Sequence, residues 1–165
     1  MKEAIKILNA MVKKGILDDY ALGGAIGVMF YTESFHTKDL DVFIMPQIAP
    51  GGIVHFGEIF HYLRSLGYKT QGQYVVIDDM LVDFILVYNK LTKEALEKAK
   101  VKKYYGVNVK VFRPEYLIAI ALQTGRRQDL RKVDMIHEEC LIDKVLLNDV
   151  LRRYNLKRKW KEHAR

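Results

Sequence analysis

From Lys2 to Lys14 the apolar residues Ile5, Leu8, Met11 and Val12 recur at the spacing of one helical face, and Gly15 marks a stop. Tyr20 to Tyr31 is apolar, holds Gly23, Gly24 and Gly27, and reads as a short strand or turn running into a helix. Asp39 to Met45 is short, β-branched and aromatic, the signature of a strand. Pro46 to Gly52 is a loop rich in proline and glycine, and Ile59, Phe60, Leu63 and Leu66 form a helical stripe that stops at Gly67. Three β-like runs follow (Tyr68 to Thr70, Tyr74 to Ile77, Met80 to Val87), joined at Gln71-Gly72 and Asp78-Asp79 as in a meander. Leu91 to Lys100 reads as a polar helix, Val107 to Phe112 as a strand, and Pro114 as the first turn of the next helix. Two or three helices then run through Arg153 with a break near Gly125. This order predicts an α+β fold, a mixed β-sheet flanked by helices with a C-terminal helical segment. No repeat or linker divides the chain, so one domain over 1–165 is expected, with a sheet core at about 18–112 and helices at about 113–165.

Composition narrows the class. At 165 residues, 50% hydrophobic and 28% charged, the chain has the makeup of a single globular domain and not of a disordered or fibrous one. The apolar stretch from Tyr20 to Tyr31 falls short of the ~20 residues a membrane span needs. The start, Met1-Lys2-Glu3-Ala4, leads into an amphipathic run with no signal-peptide pattern, and Cys140 is the single cysteine; a soluble protein of the reducing cytoplasm is expected. Nearly all of the net charge of +7 lies at the C-terminal end, where Arg152, Arg153, Lys157, Arg158, Lys159, Lys161 and Arg165 face Glu162 alone. With Tyr154 and Trp160 among them, these residues suit a nucleic-acid backbone, although a solvated, frayed terminal helix is the plainer reading.

The chemistry concentrates on aspartates in apolar strands. Asp41 lies inside DLDVFIM and Asp83 inside MLVDFILV, although aspartate is depleted from strands and an ionised carboxylate there is costly unless paired or bound to a metal. Asp39 and Asp41, two apart, project from one face of a strand. If the strand of Asp83 lies alongside, three carboxylates gather, and a divalent cation relieves their repulsion. A D-x-D pair also caps helices and opens turns. Gly23-Gly24 would let phosphate approach backbone amides at a helix start, or would simply permit tight packing. The spacing matches neither the dinucleotide fingerprint nor a P-loop. His36, His55, His61, His137 and His163 lack zinc spacing, and His36 reads as a surface-loop residue beside Thr37. Cys140 reads as a buried structural thiol, Asp18-Asp19 and Asp78-Asp79 as turn or cap residues, and Asp134 with Glu138 and Glu139 as a solvated face.

Taken together, Gly23-Gly24, Thr37-Lys38-Asp39-Leu40-Asp41-Val42 and Leu81-Val82-Asp83-Phe84-Ile85 resemble the nucleotidyltransferase fold of the DNA polymerase β superfamily. Arg113 to Ala119, followed by Gly125-Arg126-Arg127-Gln128-Asp129-Leu130, is similar to the AbiEii-type (abortive-infection) minimal nucleotidyltransferases. The resemblance spans about 18–136. It implies transfer of a nucleotidyl group from a nucleoside triphosphate such as ATP or GTP to a hydroxyl, with release of pyrophosphate. It implies that Asp39, Asp41 and Asp83 bind Mg2+ (or Mn2+), with Asp83 helping to deprotonate the acceptor. Gly23, Gly24, Thr37 and Lys38 would meet the triphosphate, and Arg126, Arg127 and Asp129 match the family's late basic and acidic stretch. The acceptor hydroxyl is expected on an RNA 3′ end, a protein side chain or a small molecule, with the basic tail favouring RNA, and an antitoxin or regulatory partner goes with a catalytically degenerate form. The chain departs from the pattern at Ala121-Leu122, where a lysine is usual, at Gln128, where another lysine is usual, and at Arg131-Lys132, where an acid is usual. A catalytically degenerate binding module, or an RNA-binding protein working through its tail, are the alternative readings.

Overall fold

The computed structural model describes residues 1–33, 37–45 and 56–163. Its strands are β1 (Tyr20–Leu22), β2 (Asp39–Ile44), β3 (Lys69–Gln71), β4 (Tyr74–Ile77), β5 (Met80–Leu86), β6 (Lys100–Tyr104) and β7 (Val107–Val111). Its helices are α1 (Lys2–Lys13), α2 (Gly24–Met29), α3 (Gly57–Ser65), α4 (Lys90–Glu97), α5 (Pro114–Thr124), α6 (Arg127–Glu139), α7 (Lys144–Arg153) and α8 (Lys157–His163). The strands form one seven-stranded sheet in the order β3-β4-β5-β2-β1-β7-β6. β2 with β5 and β1 with β7 are parallel; the other neighbours are antiparallel.

Strand alternation sorts the apolar side chains onto two cores. Leu40, Val42 and Ile44 of β2 join Val82 and Phe84 of β5 under α1 and α3, where Ile5, Leu8, Met11, Ile59 and Leu63 are buried. Phe43 points the other way, into a core built with Phe112, Tyr116, Ile118 and Leu122 and closed by α4, α6 and α7. Asp39 and Asp41 share the face of Phe43, and Asp83 shares the face of Ile85. The acidic positions therefore sit on the same face of the sheet as this second core.

Three sequence expectations are revised. The polar helix ends at Glu97, short of Lys100, and Lys100 instead opens the edge strand β6, whose residues Val101-Lys102-Lys103-Tyr104 carried no assignment from the sequence. Lysines favour helix locally, but they also suit an exposed sheet edge, which they keep from pairing with other chains. Up to His163 the C-terminal segment is docked and not frayed: Trp160 packs on the second core, Lys159 Nζ donates to the carbonyls of Leu122 (2.9 Å) and Gln123 (3.2 Å), and His163 meets Asp134 at 2.7 Å. Cys140 is half-buried at the end of α6. The Pro46 to Gly52 loop, His36 and His55 lie outside the described residues. Among the described residues, no helix is long and apolar enough to cross a membrane.

Candidate active site

Asp41 and Asp83 are partners in register on the adjacent parallel strands β2 and β5, with Asp39 paired to Leu81 one side-chain repeat earlier. In a parallel pair, residues in register project to the same side, so the two carboxylates flank one another. Beside them, Gly23 caps α2 and its N–H donates to the Asp41 carbonyl at 3.0 Å. Gly24 has φ +52°, and a Cβ there would lie 2.6 Å from Asp41 Cγ. Only glycine both adopts that backbone and leaves the carboxylate its place. Gly23 serves packing: a Cβ on it would lie 2.8 Å from Phe43 Cδ2 and 3.1 Å from Phe112 Cδ2.

These elements enclose an open cleft of about 700 Å³ between the sheet and helices α5 and α6. Gly24, Thr37, Asp39, Asp41, Asp83, Arg126 and Asp129 line it, over an apolar floor that includes Phe43, Ile85 and Phe112. Gly23, Lys38 and Arg127 do not: Gly23 is walled off by the two phenylalanines, while Lys38 and Arg127 are exposed outside the lining. Thr37 Oγ1 accepts from the Asp39 N–H at 3.1 Å, which steadies the entry to β2.

The electrostatics follow from burial. Desolvation pushes the Asp41 carboxyl up to about 6; Lys132 opposes the rise, while Asp83, Asp39 and Asp129 add to it. Burial also works to raise Asp129, but hydrogen bonds from Arg126 and Lys132 outweigh it and hold this carboxyl below its ordinary range. Those bonds are Arg126 Nε to Oδ2 at 2.7 Å and Lys132 Nζ to Oδ1 at 2.9 Å. Gln73, at the β3–β4 turn, donates its amide to Asp83 Oδ2 at 2.7 Å. Hard carboxylate oxygens from two paired strands suit Mg2+ by type. As the side chains lie, no three acidic, histidine or cysteine groups among the described residues form a ready-made cage.

Gln73, Gln128 and Lys132 also line the cleft, and sequence reasoning assigned none of them to the site. For Lys132 a signal existed: it follows Asp129 by three residues and Gln128 by four, one face of a helix. For Gln73 none did, because its link to Asp83 depends on how a hairpin turn folds over the sheet.

No protein-family model matches the chain, and no curated protein does. Solved structures do. A crystal structure of an antigenic nucleotidyltransferase-like protein from Paracoccidioides brasiliensis superposes with a TM-score of 0.56 at 14% identity, covering 98% of this chain and 92% of that one. This chain has the nucleotidyltransferase fold. A crystal structure of ANT(2")-Ia in complex with adenylyl-2"-tobramycin has the same nucleotidyltransferase fold, with TM-score 0.53 at 16% identity over 92% of this chain and 98% of that one. The solution structure of the antibiotic-resistance factor ANT(2")-Ia gives 0.52 at 13% identity, over 99% and 96% of the two chains. At these identities the likeness extends to the nucleotidyltransferase fold and no further.

Proposed function

We propose that this chain is a metal-dependent nucleotidyltransferase. The observation that carries the reading is the in-register pairing of Asp41 with Asp83 beside Gly24, at the edge of a cleft large enough for a nucleotide. Asp39, Asp41 and Asp83 are the residues that would hold Mg2+ or Mn2+. The ion, when bound, supplies positive charge to the phosphate oxygens. The acceptor hydroxyl oxygen bonds to the α-phosphorus, the bond to the bridging oxygen breaks, and pyrophosphate leaves. The hydroxyl proton passes to Asp83, whose Oδ2 is engaged by Gln73 and whose other oxygen is the candidate acceptor. Gly24, Thr37 and Arg126 line the cleft and would meet the triphosphate. The roles that family likeness gives to Gly23, Lys38 and Arg127 have less support from the cleft, since none of the three lines it.

The neighbour crystallised with adenylyl-2"-tobramycin is a precedent on this fold for a nucleotidyl group joined to an acceptor. The finer AbiEii-type likeness rests partly on Arg113-Pro114-Glu115. Here Arg113 Nε meets the buried Glu115 at 3.1 Å, and Glu115 accepts from the Asp143 N–H at 2.9 Å, a clasp outside the cleft. That segment therefore argues for architecture. An RNA, protein or small-molecule acceptor, a regulatory or antitoxin partner and action in a reducing cytoplasm complete the proposal. The test is to incubate the protein with Mg2+ or Mn2+ and each labelled nucleoside triphosphate and to follow pyrophosphate release. Activity is expected, and Asp41→Asn or Asp83→Asn should lower it by about 10²-fold or more.

A second reading, a nucleotide-binding module without turnover, draws on the Gln73 bond that already engages one oxygen of Asp83. It is the conclusion if nucleotide binds and no pyrophosphate appears.

A further inference from the structure

Asp129 cannot serve a ligand as it stands. Its side chain is 6% exposed, and both of its oxygens are occupied, one by Arg126 and one by Lys132. Its two partners are unlike each other. Arg126 is 65% exposed at the lip of the cleft, whereas Lys132 is 16% exposed and lies deeper. Among the described residues that line the cleft, these two are the basic ones, against Asp39, Asp41, Asp83 and Asp129. Lys132 is also the cation that opposes the rise of Asp41, so its charge reaches the β2 carboxylate at the head of the cleft. An ammonium has three N–H donors, and Asp129 takes one of them. The remaining donors belong to a half-buried point charge in a cleft whose other charges mostly repel anions.

We propose that Lys132 is the residue that binds the phosphate chain of the ligand in this cleft, and that Asp129 is a positioning residue that holds it there. This rests on the nucleotidyltransferase reading and gives its triphosphate a specific counter-charge. Gln128 stands one helical turn before Lys132 on the same face and lines the same cleft. An ammonium moved to position 128 therefore approaches the cleft from the neighbouring turn.

The experiment measures binding of inorganic tripolyphosphate, and separately of ATP with Mg2+, by calorimetry on the full chain. Lys132→Gln should weaken tripolyphosphate roughly tenfold or more, the usual effect of losing a charge-assisted hydrogen bond. Lys161→Gln removes the same charge from exposed α8 and should change binding by less than about threefold, which separates a site from general attraction to a basic protein. The double variant Q128K/K132Q should recover most of the affinity, a rescue that a purely structural role for Lys132 would not produce. It also keeps the net charge should the single variant fold poorly. Equal weakening in the Lys132 and Lys161 variants overturns the inference, as does unchanged binding in Lys132→Gln or no binding of tripolyphosphate by the wild type. Tripolyphosphate binding that depends on Lys132 without any nucleotidyl transfer leaves the inference standing and removes the proposed reaction.

Discussion

Asp41 joins two roles, because the burial that makes it a candidate ligand also makes it costly to the fold. Its carboxyl is pushed up to about 6 by burial first, with the neighbouring acids adding to the shift. A folded-state value above the ordinary 3.8 means that the folded chain holds this proton more tightly than the unfolded one. The associated stability is complete below about pH 4 and is lost as pH rises through about 6. Asp41→Asn should therefore be more stable than the wild type at pH 7, by about 1–2 kcal/mol after allowance for solvent screening, with the gap closing near pH 4. Urea denaturation across that range measures it. Gly24 gives a second residue-scale expectation. Gly24→Ala should cost at least about 2 kcal/mol, because strained backbone and collision with Asp41 add. Gly72→Ala, at φ +62° with nothing within 4 Å of its Cβ, should cost only the backbone part, about 1 kcal/mol.

At the scale of elements, one carboxylate ties three helices. Glu94 on α4 receives the Arg153 guanidinium from the end of α7 at 2.5 and 2.6 Å, the Tyr116 hydroxyl from α5 at 2.7 Å, and the Tyr154 hydroxyl. Arg153 does most to hold the Glu94 carboxyl down to about 2, against the upward pull of burial. The sign is opposite to that of Asp41. This stability is present above the ordinary 4.5 and is lost as pH falls towards about 2. Glu94→Gln should lower stability at pH 7 by about 1–3 kcal/mol, and melting temperatures followed from pH 6 to pH 2 should fall less steeply in the variant than in the wild type. The docking of α8 is also testable. Lys159 donates to the last carbonyls of α5, where a cation is favoured by the helix dipole. Lys159→Ala should lower the melting temperature by a few degrees, on the order of 1 kcal/mol, in a calorimetric scan.

Across the whole molecule, local pattern and long-range pairing divide the explanation. Helical stripes such as Ile5, Leu8 and Met11, and alternating strands such as Asp39 to Ile44, are legible in the chain because periodicity repeats within a few residues. The cost of placing Asp41 and Asp83 in apolar runs is equally local, so both were recognisable as chemistry. β6 was not, since a lysine-rich edge strand shows no apolar alternation of its own until β7 pairs with it. Tertiary structure decided that Asp41 faces Asp83 across β2 and β5, that Gln73 reaches Asp83 from a turn, and that Lys132 of α6 lines the same cleft and acts on Asp41. Register between strands and the packing of a helix over a sheet depend on contacts between residues far apart in the chain. Residue order thus determined which side chains carry charge into the interior, and folding determined which of them meet, because burial can be read from neighbours in sequence and proximity cannot.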